Sequence, residues 1–236
     1  GTTISGGALQ VNSGGSINAT SGITNNATLA YNNGIVNSAA GVTGTGSLAV
    51  GTVNGTGTTL KLTGALGVTG GITVYSGNVL DLNGQTSSVA ISIAGTGISN
   101  GGALINSSAT GATQSGPVTL TAASSMGGTG SLTVSGAISG GFALSFNSTA
   151  AVTLSGNSGS LTINGGTVGS LTVQNATNVT ISGGLTAVGN ASLLGSTVFT
   201  ISSGGAIAST GGDITVSTAR FVNNSGAAAL SVVSGH

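Results

Sequence analysis

The 236-residue chain has almost no charge, no cysteine and a single proline. Charged residues make up 2% of it, against about 25% in a typical soluble domain, and glutamate is absent. A formal net charge of zero provides no basic surface, so we expect no nucleic-acid partner. The lack of cysteine is compatible with the cytoplasm and equally with export, so it does not decide the compartment.

Several structural classes are disfavoured by what is missing. Collagen needs Gly at every third position and abundant Pro, and the 46 glycines show no such period. A transmembrane helix needs about 18 consecutive apolar residues, a length that no run approaches, so we expect no membrane insertion of this segment. Disorder is disfavoured because 38% of the residues are hydrophobic, and they are placed in alternation.

Short triplets, each with two large apolar residues around a smaller one, recur between residues 129 and 182. The central residue is Thr, Ala or Ser, and Gly, Ser or Asn separate one triplet from the next. Strict alternation of this kind indicates strands with one buried face. The triplets are Leu132/Val134, Phe142/Leu144, Val152/Leu154, Leu161/Ile163, Leu171/Val173 and Val179/Ile181.

The spacing of these triplets provides a repeat length. One series runs from Leu132 through Val152 to Leu171, in steps of 20 and 19, and the interleaved series from Phe142 has steps of 19 and 18. Two interleaved series with one period are typical of a coil that returns to the same place. The sequence therefore predicts an all-β fold, a parallel β-helix (β-solenoid) with about 19–20 residues per coil and roughly twelve coils.

We predict a single β-solenoid segment over residues 1–236. A polar stretch at 106–116 interrupts the alternation and predicts a protruding loop. The chain starts with GTTISGG, which contains neither an initiator Met nor a signal peptide, and no cap is recognisable at either end. We therefore expect an excerpt of a longer repetitive chain, or a subunit that stacks end to end through exposed coil edges.

Two charged residues follow the same repeat. Lys61 lies between two leucines, and Asp81 lies between two leucines one repeat length later in the chain. One coil of about 20 residues would place the two side chains on adjacent rungs, pointing outward, where opposite charges stabilise by a few tenths of a kcal/mol. The alternative is coincidence, because only one such pair exists.

The sequence contains no candidate catalytic, cofactor-binding or metal-ligating residues. The two acids, Asp81 and Asp213, would lie about six or seven coils apart on a rod, too far for paired-carboxylate catalysis. A Ser/His/Asp arrangement would depend on His236, the last residue. One His without Cys or Glu forms no metal-ligand set, and the glycines at 127–130 are interpreted as turns. We therefore expect no enzymatic activity, no cofactor and no metal.

Two surface hypotheses remain. Outward Thr residues can bind ice or carbohydrate, but the outward positions mix Thr, Ser and Ala, so the sequence predicts no sustained Thr ladder. Glycosylation is a further hypothesis, although sequons arise by composition in a chain this rich in Asn, Ser and Thr. They include Asn18, Asn26, Asn106, Asn147, Asn175, Asn178, Asn190 and Asn223.

Segments 1–11 (GTTISGGALQV), 80–85 (LDLNGQ) and 131–141 (SLTVSGAISGG) resemble the passenger-associated β-strand repeats of bacterial autotransporters. Segments 211–214 and 220–227 are similar to parts of large filamentous-haemagglutinin-like exoproteins. This resemblance implies a right-handed parallel β-helix and export by a type V route. It also implies an extracellular or bacterial outer-surface location, as the stalk or fibre of an adhesin, and it transfers no functional residues.

The leading hypothesis is a non-catalytic, extracellular structural or adhesive stalk or fibre of a bacterial surface or secreted protein. The first alternative is a self-assembling extracellular filament subunit that stacks end to end. The second alternative is a carbohydrate-binding or carbohydrate-active β-helix, against which the scarcity of acids argues. The expected partners are further copies of the chain and a host-surface or glycan receptor.

Overall fold

The computed structural model describes residues 1–15, 17, 22–34, 36–39, 41–156, 158–226 and 230–232. These residues form 28 β-strands and one short 3-10 turn at Ile98–Asn100. The strands are Thr2–Ile4, Ala8–Asn12, Ile23–Asn25, Thr28–Asn32, Val36–Ala39, Val42–Gly44, Ser47–Val50, Thr59–Leu62, Gly67–Val68, Ile72–Val74, Val79–Asp81, Thr86–Ser87, Ile91–Gly95, Leu104–Asn106, Ala112–Gln114, Val118–Gly128, Leu132–Val134, Ile138–Ser139, Ala143–Ser148, Ala151–Leu154, Ser158–Val168, Ser170–Val173, Ala176–Ile181, Gly184–Ala187, Ala191–Ile201, Ala206–Ser209, Ile214–Asn223 and Leu230–Val232.

The strands pair in parallel with strands one coil away, so the chain winds as a β-solenoid of about eleven turns. Leu132 pairs with Val152, and Val152 pairs with Leu171, at the spacing that the sequence predicts. The predicted all-β, parallel solenoid fold is confirmed. The coils are unequal in length, because the separation of paired residues ranges from 18 for Ser160 with Asn178 to 29 for Gly95 with Ser124.

A hydrophobic core runs through the described residues from Ile4 to Ile207. It is built from the inward residues of each alternating strand, as in Thr59–Leu62, where the two leucines are buried and their neighbours are half-buried. Leu80 pairs with Leu60 on one side and with Leu104 on the other, and all three are fully buried. Columns of like residues therefore fill the interior from coil to coil.

One inward residue was predicted wrongly. Phe142 is 47% exposed and precedes the strand Ala143–Ser148, whose inward pair is Leu144 and Phe146. Three alternating large residues occur here, and the sequence pattern does not show which two lie in the strand. The strand starts at Ala143, and this excludes Phe142 from the core.

The predicted protruding loop at 106–116 is also corrected. Ala112–Gln114 is a strand in the stack, where it pairs with Thr86–Ser87 and with Leu132–Val134. Asn106 ends the preceding strand and is fully buried. The polar connection between these strands is therefore limited to residues 107–111.

Asn106 explains why this buried corner is rich in polar residues. Its side-chain amide donates to the carbonyls of Thr110 and Ser131, at 2.9 and 2.8 Å. Its Oδ1 accepts from the backbone N–H of Gly84 and of Ser108, at 2.9 and 3.1 Å. A single side chain thus satisfies backbone groups from three successive coils, and an apolar residue could not.

Another corner is closed by stacked glycines. Gly116, Gly136 and Gly156 follow one another from coil to coil and are all buried. A Cβ on Gly136 would collide with the carbonyl oxygen of Gly116, and one on Gly156 with that of Gly136. The reason for glycine here is the close approach of two backbones, because none of the three has a positive φ.

Candidate functional site

The predicted pairing of Lys61 with Asp81 on adjacent rungs is confirmed. Asp81 is only 3% exposed, however, so the prediction that its charge points outward into solvent is wrong. Its carboxylate accepts from the backbone N–H of Asn83 at 2.9 Å and from the backbone N–H and hydroxyl of Ser107 at 3.0 and 2.5 Å. Within the described residues no ion pair joins Lys61 to Asp81. Asp81 is thus a structural carboxylate, covered by the connection that follows Asn106.

The remaining charged residues are exposed near the end of the chain. Asp213 and Arg220 are both on the surface, and the backbone N–H of Asp213 donates to the side-chain oxygen of Asn190 at 3.0 Å. Across the described part of the chain, no group of three or more His, Cys, Asp or Glu side chains could hold a metal ion. His236 lies outside the described residues.

No helix among the described residues is long and apolar enough to cross a membrane.

The sequons occupy different environments. Asn106 is buried with all its hydrogen-bonding groups used, so a glycan cannot be attached there in the folded chain. Asn178 is half-buried, and Asn18 lies outside the described residues. The exposed sequon residues include Asn26, Asn147, Asn175, Asn190 and Asn223.

A column of hydroxyl-bearing residues occupies one outward face of the solenoid. From Thr113 to Ser192 each member lies between two buried residues, and each member of the column pairs with the member on the next coil. We call this column the threonine ladder. Its members are Thr86, Thr113, Thr133, Thr153, Thr172, Ser192 and Thr215.

The hydroxyl groups of the threonine ladder have no hydrogen-bond partner among the described residues, and their side chains are half-buried or exposed. A second column of serines flanks it, because Ser115, Ser135 and Ser155 directly follow the inward residue of successive strands. Parallel strands are about 4.8 Å apart, so the hydroxyls repeat at about that distance along the solenoid. The face can therefore offer a regular array of hydrogen-bonding groups.

This face was missed in the sequence, and the prediction that no sustained Thr ladder exists is wrong. The sequence separation from Thr86 to Thr113 and from Ser192 to Thr215 is longer than the separations between the other members. A fixed repeat length applied to the sequence therefore fails to align the two ends of the ladder with its centre. The signal was nevertheless present in the central Thr of the triplets. A shorter column, Thr3, Thr24 and Thr43 followed by Gly67, occurs in a separate four-stranded sheet near the start of the chain.

A cleft of about 390 Å³ opens on the surface between two groups of residues, 66–69 and 88–90, and Pro117 contributes to its wall. Behind the cleft wall, Gln114 is fully buried in the strand that pairs with Thr86–Ser87. Its side-chain amide donates to the carbonyl of Val89, which lines the cleft, at 2.7 Å, and to that of Gly116 at 3.0 Å. No ionisable side chain lines the cleft, so it contains no group for acid–base catalysis.

A scan against protein-family models finds no match, and comparisons with curated proteins and with solved structures find none either.

Proposed function

We propose that the chain is a non-catalytic structural or adhesive stalk or fibre of an extracellular bacterial protein. A β-solenoid is compatible with such a role, and the observation that supports it best is the stacking of the coils along the described residues. Parallel pairing and the hydrophobic core continue from coil to coil. Most of the exposed residues among those described are Gly, Ala, Ser, Thr or Asn, and seven are large and apolar.

The way in which the coils stack also favours export in an unfolded form. Each described strand pairs with strands one coil away, so a coil can form on the coil already folded without waiting for distant parts of the chain. The chain has no cysteine that could cross-link during transport. These properties support the type V route implied by the resemblance to autotransporter passengers.

The location can be tested by immunogold labelling of the producing organism without permeabilisation. We expect label on the outer surface or on released material. Label that appears only after permeabilisation, and only in the cytoplasm, would contradict the proposal. Small-angle scattering of the purified chain tests the shape, with about eleven coils predicting a particle about 50 Å long.

End-to-end association is a second candidate, supported by one observation. Among the described strands, Ala8–Asn12 pairs only with Thr28–Asn32, along one edge, and Leu9 within it is 36% exposed. A free strand edge with apolar side chains can pair with another chain. Sedimentation velocity over a range of concentrations should show oligomers, and Leu9→Lys should reduce them. A concentration-independent monomer would rule this candidate out.

A further inference from the structure

We propose that the threonine ladder is an ice-binding surface. This goes beyond a structural or adhesive role, because it assigns a ligand, crystalline water, to one face of the solenoid. The sequence disfavoured ice binding only because no sustained ladder was recognised, and the structure shows seven successive members.

The first argument is geometric. A crystal surface is recognised by groups that repeat with a matching period, and the period here is set by the backbone. Parallel strands place the members of the ladder about 4.8 Å apart, close to the repeat of water oxygens along one axis of hexagonal ice. Side-chain ladders also favour flat stacking of many strands over the usual twist. The spacing of the ladder members therefore matches the repeat of the ice lattice over several coils.

The second argument concerns the side chains themselves. Threonine is branched at Cβ and is therefore stiff at χ1, so little rotamer freedom is lost when its hydroxyl becomes fixed. The hydroxyls between Thr113 and Ser192 have no protein partner among the described residues, so they are available to hold water. The γ-methyl of each Thr fills the space beside its hydroxyl.

The third argument is the absence of charge in the central part of the face. On the ladder strands from Ala112–Gln114 to Ser170–Val173, and at the residue that follows each, the outward residues are Thr, Ser, Ala and Gln. They include no ionisable and no aromatic side chain. Charged groups orient water around themselves and would disturb a lattice. Aromatic side chains supply the stacking area on which protein–ligand contacts often depend, and their lack makes a glycan a poorer fit than ice.

The purified chain is tested by nanolitre osmometry and by an ice-recrystallisation assay. We expect shaped ice crystals, a gap between melting and freezing temperatures, and slower recrystallisation. Thr153→Tyr places a bulky side chain in the middle of the ladder, on a strand that tolerates aromatic residues, and should remove most of this activity. Thr133→Tyr, one coil away, should act in the same way.

Thr186→Tyr is the matched control. Thr186 is also the outward Thr of a strand and is half-buried, but it pairs with Thr167 and Ala208 in another column. This variant should retain the activity of the unmodified chain. Circular dichroism and urea unfolding establish that all three variants are folded, and surface labelling, which tests the stalk proposal, should not change.

Three results would overturn the inference. One is an unmodified chain that neither shapes ice nor slows recrystallisation more than serum albumin does. Another is equal activity in the ladder variants and in Thr186→Tyr. The third is binding to insoluble chitin or cellulose that Thr153→Tyr abolishes while ice growth is unaffected, which would assign the face to a glycan.

Discussion

Single residues determine how the corners of the solenoid are satisfied. Asp81 and Asn106 are buried, and their oxygens accept hydrogen bonds from backbone N–H groups that leave the regular ladders. Buried polar groups are costly unless they are paired, so such side chains must be correct in both type and position. In a chain with four charged residues, one is used inside a corner and not on the surface.

Removing the Asp81 carboxylate should destabilise the fold. Asp81→Ala leaves the backbone N–H groups of Asn83 and Ser107 without their acceptor, and we expect a loss of about 1–3 kcal/mol in the free energy of unfolding. Asp81→Asn should lose less, because one side-chain oxygen can still accept from both. Urea unfolding followed by circular dichroism measures the difference.

Lys61 provides the control for that experiment. Because no ion pair joins it to Asp81 within the described residues, Lys61→Met should change the free energy of unfolding by less than about 0.5 kcal/mol. A loss in Lys61→Met equal to that in Asp81→Ala would show instead that the two charges stabilise each other across the rungs.

Tyr31 makes stability sensitive to high pH. It is 2% exposed, and burial raises the pKa of its phenol above the ordinary value of about 10. Above pH 10 the unfolded chain loses this proton before the folded chain does, so the unfolded state is favoured as the pH rises. We expect the free energy of unfolding to fall by up to about 1.4 kcal/mol per pH unit there.

The variant Tyr31→Phe isolates this effect. Urea unfolding between pH 9 and pH 11 should show a shallower loss of stability in the variant than in the unmodified chain. Parallel curves for the two proteins would assign the alkaline loss to other groups.

At the scale of strands and turns, the glycine corner leaves no room for a side chain. Gly136→Ala would push a Cβ into the carbonyl oxygen of Gly116, and we expect it to cost about 1–3 kcal/mol. Gly141→Ala is the control, because no atom lies within 4 Å of its Cβ position and its φ is not positive. Equal Tm values for the two variants, measured by thermal unfolding, would refute the importance of this close contact.

Strands were predicted well from the sequence, and corners were predicted poorly. Alternation of apolar and polar residues around Leu132, Val152 and Leu171 predicts the strands. The spacing of about one coil between these residues predicts which strands pair. The limits of a strand depend on where the turn ends, so Phe142 was assigned to the core. The number of residues in the corners varies from coil to coil, so the sequence alone did not show that the threonines of successive coils form one column.

The buried carboxylate could not have been predicted from its own neighbourhood. Asp81 has the same leucine flanks as Lys61, and only the connection at Ser107, on the next coil, covers it. Burial of an outward residue depends on how the next coil closes. The sequence pattern of a single coil does not contain that information.

The whole molecule should show graded stability. In a solenoid, stability is approximately a sum of the contributions of each coil and of its contacts with the next, so coils with two neighbours are held more firmly than those with one. The strand Thr2–Ile4 pairs only with Ile23–Asn25 among the described strands, and two of its three residues are exposed. The central strands Val118–Gly128 and Ser158–Val168 have neighbours on both sides.

Hydrogen exchange measures this gradient directly. We expect amides in Val118–Gly128 and Ser158–Val168 to exchange slowest and those in Thr2–Ile4 fastest. Uniform exchange at one rate across all three strands would indicate that the solenoid opens as one cooperative unit.

The unequal coils have a consequence for how such a chain can change over generations. Paired residues are separated by anything from 18 to 29 positions, and the strands stay paired in parallel although the register shifts between Ile93 and Gly95. The longest separation encloses the 3-10 turn at Ile98–Asn100, whose three residues are exposed. Insertions at that corner should change the surface without disturbing the stacked strands beneath it, so sequence changes are expected to be tolerated there. A foreign peptide inserted there would be displayed on a rigid support.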